Sequence, residues 1–526
     1  MNLRSRITDW LLLITVPAFF FLWKLSAFGL IGADEPRYAQ VAREMLARHD
    51  WITPTLGGVP WLEKPPLYYW EAIIAYKLFG VSDWAARLPS VLDAFLLVLA
   101  VYLLSRRIRP QIALDAALMV ATTAGVTGFA RAASMDMPLA STFAIAMLAW
   151  YAWLETQDRK YLVMSYVFLA LATLAKGPVA PFLAIAIIAV FAATQRSAQS
   201  ISRTVWAPGI VLFCVIALPW YLLVQIRNPQ FFHEFIVEHN LARFGTNLYH
   251  HPEPFWYYVP VSLIAWVPWS AFVVAGIASG VRQWQKRALD KMQCFLLIWT
   301  VVILFFFSVS RSKLPGYILP AIPAGAILAA QFSRSLGLQE STSKAPRIAV
   351  YGIHAALLGG LVFCALLIQQ LVLNHHIPWN APAPLTLAIV IAIGIFALLA
   401  KSELRSLRAA TLVPAVVALS LAIRSGALPL DESLSARPVA KALAGFDPHH
   451  LPIAVFLVPR ETEFGLSFYR DQSVGRYELH QIPSKEHLLV AAEGFEKSIA
   501  KETGRRPVFL GRFAPQKLEF FYLPTR

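Results

Sequence analysis

Side chains able to move a proton or hold a phosphate gather in six short stretches of this chain. "GADEPRYAQVAREML", residues 32–46, brings Asp34, Arg37 and Tyr38 within about one helical turn. "WLEKPPLYYW" sets Glu63 beside Lys64 on a segment stiffened by two prolines. "FARAASMDMPLA" carries Arg131 and Asp136, and "LAKGPVAP" carries Lys176. "FFHEFIVEHNLARFG" holds Glu238, His239 and Arg243, with His239 and Arg243 four apart and so on one helical face. "SVSRSKLPGYILP" holds Arg311, Lys313 and Tyr317. Cations at Lys64, Lys176, Arg243 and Lys313 suit a phosphate-bearing substrate. Carboxylates at Asp34, Glu63 and Asp136 suit acid/base work or the orientation of a polar group.

Each stretch also has a plainer reading. From Asp34 the apolar positions Tyr38, Val41, Ala42, Met45 and Leu46 follow helical spacing, and Pro36 fits a first turn, so Asp34 is a candidate N-cap. Glu63 and Lys64 would make an ordinary surface ion pair. Asp136 could cap a helix ahead of Pro138, Lys176 could snorkel to lipid headgroups, and Lys313 could anchor a span. His239 reads as a hydrogen-bonding or metal-binding neighbour of Arg243; a divalent cation is left open and no cofactor is required. His250–His251 and His375–His376 read as loop residues. Walker, Rossmann and H-E-x-x-H patterns are absent, which argues against nucleotide hydrolysis and zinc proteolysis.

The elements that must position these groups are membrane helices. Of 526 residues 57% are hydrophobic and 15% charged, well below the quarter usual in soluble domains. Thirteen apolar segments read as spans: 10–30, 87–105, 112–130, 137–154, 161–175, 178–194, 206–225, 255–280, 292–310, 316–333, 348–373, 383–400 and 409–424. One alternate set of connections holds 19 Lys and Arg, the other short set four, so the first is cytoplasmic. The odd count places the chain's tail outside, together with the loops 31–86 and 226–254 and every stretch quoted above. Residues 1–424 carry 33 basic and 19 acidic residues, and 425–526 carry 13 and 12. The basic excess therefore belongs to the membrane part and fits loops facing anionic lipid; with no long basic run, nucleic acid is not an expected partner. The three cysteines lie in or beside apolar segments and suggest neither a disulfide framework nor a zinc site.

The expected division is thus a membrane domain over 1–424 and a soluble domain over 425–526. In the latter "PIAVFLV", "GRYEL" and "PVFLGRF" read as strands, and "SARPVAKALAGF" and "EGFEKSIAKE" as helices, giving a small α/β unit.

At "DEPRYAQVAREM", "WLEKPPLYYW", "ARAASMDMP", "LAKGP", "EHNLARF" and "SKLPGYILP" the chain resembles membrane glycosyltransferases of the GT-C type, in particular the 4-amino-4-deoxy-L-arabinose transferases of lipid A, which are related to protein O-mannosyltransferases. The resemblance runs across most of residues 1–330. It implies a polytopic α-helical membrane fold, with interfacial helices in the first outer loop and a small outer domain, in the bacterial inner membrane. It implies a polyprenyl-phosphate-linked sugar as donor and lipid A, another glycolipid or a protein as acceptor. Asp34 would be the catalytic carboxylate, with Arg37 and Tyr38 beside it. Glu63 and Lys64 would be the acid–lysine pair whose lysine meets the donor phosphate. Arg243 would also bind that phosphate, Tyr317 would lie near the site and Asp136 would be a further acid; beside these matches, the outer-face charges themselves make Lys313 a further phosphate-binding candidate and His239 and Lys176 substrate-binding candidates. A transporter of lipid-linked sugars is the rival class; it would place its charges near the midplane rather than at outer helix ends.

Overall fold

A computed structural model describes residues 3–196, 202–242, 253–338, 344–374, 382–401, 404–447 and 450–525. α1 (Leu3–Leu22) turns into α2 (Asp34–Ala47), a ribbon of β1 (Thr55–Leu56) and β2 (Val59–Pro60), and α3 (Leu67–Phe79). Then come α4 (Asp83–Ile108), α5 (Ala113–Thr122), α6 (Ala124–Ala130), α7 (Asp136–Thr156), α8 (Arg159–Lys176), α9 (Val179–Thr194) and α10 (Ala207–Arg227). A wide π-type coil at His233–Ala242 precedes α11 (Tyr258–Ala265), α12 (Ser270–Gln285) and α13 (Lys291–Val309). A 3-10 turn at Pro315–Ala321 leads to α14 (Ile322–Leu338), α15 (Lys344–Asn374), α16 (Pro382–Lys401) and α17 (Leu404–Leu434).

Among the described residues seven helical stretches are long and apolar enough to cross a bilayer, or eight if α5 and α6, bent by 61°, form one span. Other expected spans fall on shorter apolar helices such as Ile7–Leu22 and Val179–Thr194, so length alone does not reach thirteen. The expected span 255–280 is two helices. Pro268 lacks an N–H, and the break is held by Trp269 Nε1 donating to Thr122 Oγ1 at 2.8 Å and Trp266 Nε1 donating to the Ile322 carbonyl at 3.2 Å. The same break serves the α5–α6 bend, where Ala124 N–H donates to the Val267 carbonyl at 2.7 Å. Freed backbone groups inside a membrane domain must find such partners.

α2 buries Tyr38, Val41, Ala42 and Met45, the face its spacing predicts. α3 buries Tyr68, Tyr69 and Tyr76 while Ile74 and Leu78 stay exposed. Two aromatics of "PPLYYW" pack inward, with Tyr68 OH donating to the Ala86 carbonyl at 2.8 Å.

α17 runs past residue 424 to Leu434, and the second domain begins at α18 (Ala436–Ala444). β3 (Ile453–Phe456), α19 (Arg460–Arg470), β4 (Val474–Arg476), β5 (His487–Ala492), α20 (Glu496–Thr503), β6 (Val508–Phe513) and β7 (Leu518–Leu523) complete it. The strand order is β4-β3-β5-β7-β6, parallel over the first three and antiparallel at β7 and β6. Two strands and α19 were not expected. "HLLVAA" is buried at its first five positions and shows no alternation to mark it as a strand.

This domain sits on the first loop. Arg437 pairs with Asp83 and Asp431, each at 2.8 Å. Tyr469 OH donates to Asp83 at 2.7 Å and accepts from Leu30 N–H at 2.8 Å. Arg43 donates to the Phe468 carbonyl at 2.6 Å. The C-terminal domain and the loop 31–86 are therefore in direct contact.

Candidate active site

Asp34 does not cap α2. Ala33 holds the cap position, in helical conformation, and no side chain bonds there. Asp34 is instead the first helical residue, its carboxylate accepting from Arg37 Nη2, with its side chain 57% exposed against 12% for Arg37. Its neighbour Glu35 has the opposite fate. Glu35 is buried and accepts from Arg87 Nε at 3.1 Å, Arg87 Nη2 at 2.8 Å, Ala133 N–H at 2.7 Å and Ile31 N–H at 2.8 Å. Arg87 in turn donates to the carbonyls of Leu25, Phe28 and Gly29. One acid thus knits the loop to α4 and leaves the other facing open space. Glu35 was passed over in sequence; its signal was Arg87 at the head of an apolar span, a charge that needs a partner there.

Arg37 lies among aromatic rings. Its guanidinium carbon is 5.1 Å from the Tyr38 ring, 5.1 Å from Trp61 and 5.9 Å from Phe464. Burial works to lower its pKa, but Tyr38, Asp34 and Glu63 outweigh that and hold it above the ordinary value, so it is a permanent cation. Burial, followed by the Asp34 carboxylate, pushes the Tyr38 hydroxyl up, with Asp136 adding to it, so Tyr38 stays protonated. Asp34, Glu63 and Asp136 come from three separate stretches, yet all act on this one Arg–Tyr pair. Tyr69 OH, Trp61 Nε1 and Arg37 Nε are buried here with no hydrogen-bond partner among the described residues.

The second cluster forms where α7, α8 and the Pro315–Ala321 turn meet. Lys176 pairs with Asp136, and its ammonium lies 4.7 Å from the centre of the Tyr317 ring. Ser134 Oγ donates to Asp136 at 3.0 Å. Lys176 does not snorkel to headgroups, and Asp136, the first residue of α7, spends its carboxylate on Lys176 and Ser134 rather than on a helix end. Gly316 makes the approach possible: a Cβ there would fall 2.7 Å from the Asp136 carboxyl carbon. Gly177, at φ +90°, turns the chain after Lys176 and lies against Phe235 of the π-type coil.

Of these groups Lys176 and Tyr317 open onto a cavity of about 430 Å³, whose lining does not include Asp34, Arg37 or Asp136. Glu63, Lys64, Lys176, His239, Ser310 and Tyr317 supply its polar lining, and Leu139, Pro178, Val179, Phe182, Phe235, Phe306 and Phe307 its apolar walls. Glu63 Oε1 is 3.8 Å from His239 Nε2. That spacing leaves the pair short of a direct bond, and a divalent cation taken up here would have these two as protein ligands. Among the described residues no group of three or more His, Cys, Asp or Glu is assembled.

Lys313 stands apart from this cavity. It is buried, donates to the carbonyls of Ser310 at 2.5 Å and Glu253 at 2.9 Å, and lines an adjacent, more open space with Arg311. Arg131, at the end of α6, donates to the Phe20 and Phe21 carbonyls in the last turn of α1 and to those of Trp23, at 3.0 Å, and Lys24 just after it. Arg243, His250, His251, His375 and His376 lie outside the described residues.

Residues 63–222 match the family described as dolichyl-phosphate-mannose-protein mannosyltransferase. The chain is 30% identical over 393 residues, 73% of its own length and 70% of the relative's, to undecaprenyl phosphate-alpha-4-amino-4-deoxy-L-arabinose arabinosyl transferase 1 of Pseudomonas fluorescens. The chain belongs to this arabinosyl transferase family. The similarly named protein of Serratia proteamaculans is 33% identical over 67% of this chain and 63% of that one; for the Pseudomonas aeruginosa relative the figures are 32%, 62% and 59%. The chain thus spans somewhat under two thirds of the length of these two relatives. In fold it is similar to ArnT from Cupriavidus metallidurans, crystallised with undecaprenyl phosphate, at a TM-score of 0.78 and 23% identity over 99% of this chain and 98% of that one. It is more distantly similar to the Archaeoglobus fulgidus oligosaccharyltransferase, with a TM-score of 0.51 and 13% identity over 93% of this chain and 70% of that one. The membrane helices with a small sheet domain are thus the fold of this family.

Proposed function

We propose that the chain is a glycosyltransferase of the bacterial inner membrane, which moves a sugar from a polyprenyl-phosphate donor to an acceptor at the periplasmic face. The observation that carries this reading is the cavity, whose apolar walls end at Lys64, Lys176, Glu63 and His239. An isoprenoid chain fits such walls, and its phosphate would meet the lysines. The names of the relatives support undecaprenyl phosphate as the carrier and 4-amino-4-deoxy-L-arabinose as the sugar. Lipid A is the acceptor this reading favours.

The reaction is a displacement at the anomeric carbon. An acceptor oxygen forms the new bond, and the donor phosphate leaves with the electron pair of the bond that breaks. Lys64 and Lys176 stabilise the charge growing on that phosphate, a preorganised electrostatic effect. Asp34, exposed and set by Arg37, takes the acceptor's proton where the acceptor is a hydroxyl. Where it is an ionised phosphate, Asp34 orients it or balances positive charge developing on the sugar.

The test is transfer by the purified full chain in liposomes carrying undecaprenyl-phosphate aminoarabinose and lipid A, read as the mass gain of lipid A. Asp34→Asn should lower turnover about 10²-fold or more with the melting temperature unchanged. Leaflet exchange of the donor without any product would overturn the transferase reading, and wild-type turnover by Asp34→Asn would remove the role given to that residue.

A further inference from the structure

The C-terminal domain sends one side chain into the surroundings of Asp34. Phe464 stands on α19, outside the apolar cluster that forms that domain's core, and its ring faces the Arg37 guanidinium. The rings around Arg37 come from three elements: Tyr38 from α2, Trp61 from the segment before α3, and Phe464 from the second domain. Hydrogen bonds leave the guanidinium underdetermined. Nη2 meets Asp34 and, at 3.4 Å, the Tyr38 hydroxyl, while Nε has no partner among the described residues. Bonds through one nitrogen let the group swing, so the ring faces fix its plane. A cation over an aromatic face within about 6 Å is attracted by the ring quadrupole, more strongly where water is excluded, and Arg37 is mostly buried.

We propose that Phe464 is a positioning residue for the transfer reaction, closing an aromatic box that fixes the plane of Arg37 and, through it, the carboxylate of Asp34. The inference rests on the role given to Asp34 above. Its consequence is that the C-terminal domain is part of the active site. The contacts of Arg437 with Asp83, of Tyr469 with Asp83 and of Arg43 with the Phe468 carbonyl then set where the ring stands. Arg43 and Phe468 join the α2 helix that starts at Asp34 to the α19 helix that carries Phe464.

Phe464→Leu keeps the bulk and removes the ring face; Phe464→Tyr keeps both. In the liposome assay with the full chain, Phe464→Leu should lower kcat about five- to thirtyfold, with KM for the donor within about twofold, and Phe464→Tyr should restore kcat. Leu466→Ala is the control for plain destabilisation, because Leu466 is fully buried in the domain core. It should lower the melting temperature more than Phe464→Leu does while leaving kcat near wild type. Wild-type kcat in Phe464→Leu, no rescue by Phe464→Tyr, or an equal loss in Leu466→Ala would each overturn the proposal. Asp34→Asn measured alongside separates the two readings. If it is inactive while Phe464→Leu is normal, the positioning role alone falls; if it is active, the role of Asp34 falls first.

Discussion

Asp34 and Glu35 are adjacent carboxylates in the first turn of α2, where the helix dipole favours both. Their surroundings divide the work. Glu35 has no water to fall back on, and it meets an Arg87 side chain that is fully buried. Removing the charge from one member of a buried pair leaves the other uncompensated, typically at a cost of about 3–5 kcal/mol. Glu35→Gln should therefore lower the melting temperature of the detergent-solubilised chain markedly, because the amide cannot accept all four bonds and Arg87 loses its counter-charge. Asp34→Asn, in contrast, should lower turnover about 10²-fold or more and leave the melting temperature in place. Parallel melting curves of the two variants decide the matter. Two similar curves would mean that burial does not separate the neighbours in the way described.

Elements bring the cations and acids together by close approaches. The turn at Pro315–Ala321 reaches the start of α7 only because residue 316 has no side chain: a Cβ there would also lie 2.9 Å from Phe129. Asp136 cannot simply swing aside, since Lys176 and Ser134 hold it. Gly316→Ala should displace the Asp136 carboxylate from Lys176, with about 1–3 kcal/mol of overpacking and a loss of donor affinity measured by titration with undecaprenyl phosphate. Unchanged binding would show that the Asp136–Lys176 pair does not shape the phosphate end of the cavity. The same elements show what could be read from sequence. The face of α2 was legible because Tyr38, Val41, Ala42 and Met45 recur at helical spacing. The break at Pro268 had a visible cause but was read through as one span. Where Lys313 points, and that Glu63 meets His239, depend on how distant segments pack, and no local pattern carries that.

The whole molecule joins a membrane part to a sheet domain with its own apolar core, and a buried histidine makes the stability of that domain depend on pH. His487, at the start of β5, is fully buried, with its Nε2 2.6 Å from Tyr477 OH and its Nδ1 2.8 Å from the Lys485 carbonyl. Burial pushes its pKa below the ordinary value of about 6.5; the Lys485 carbonyl opposes that and the nearby Arg505 adds to it. The folded domain therefore binds a proton less readily than the unfolded chain does. Stability is then complete above about pH 6.5 and declines as the pH falls from there toward the depressed folded value, because the unfolded state gains the proton first. Within that window each pH unit removes up to about 1.4 kcal/mol, or a factor of ten in the opening equilibrium. Amide hydrogen exchange of β3 and β5 in the full chain, corrected for intrinsic rates, reads this directly. Protection should be level between pH 7 and 8 and fall by up to about tenfold per unit below pH 6.5. His487→Gln should be less protected at pH 8 but flat with pH. A wild-type profile without slope below pH 6.5 would mean that His487 titrates alike in both states, and that its burial does not govern the acid sensitivity of the domain.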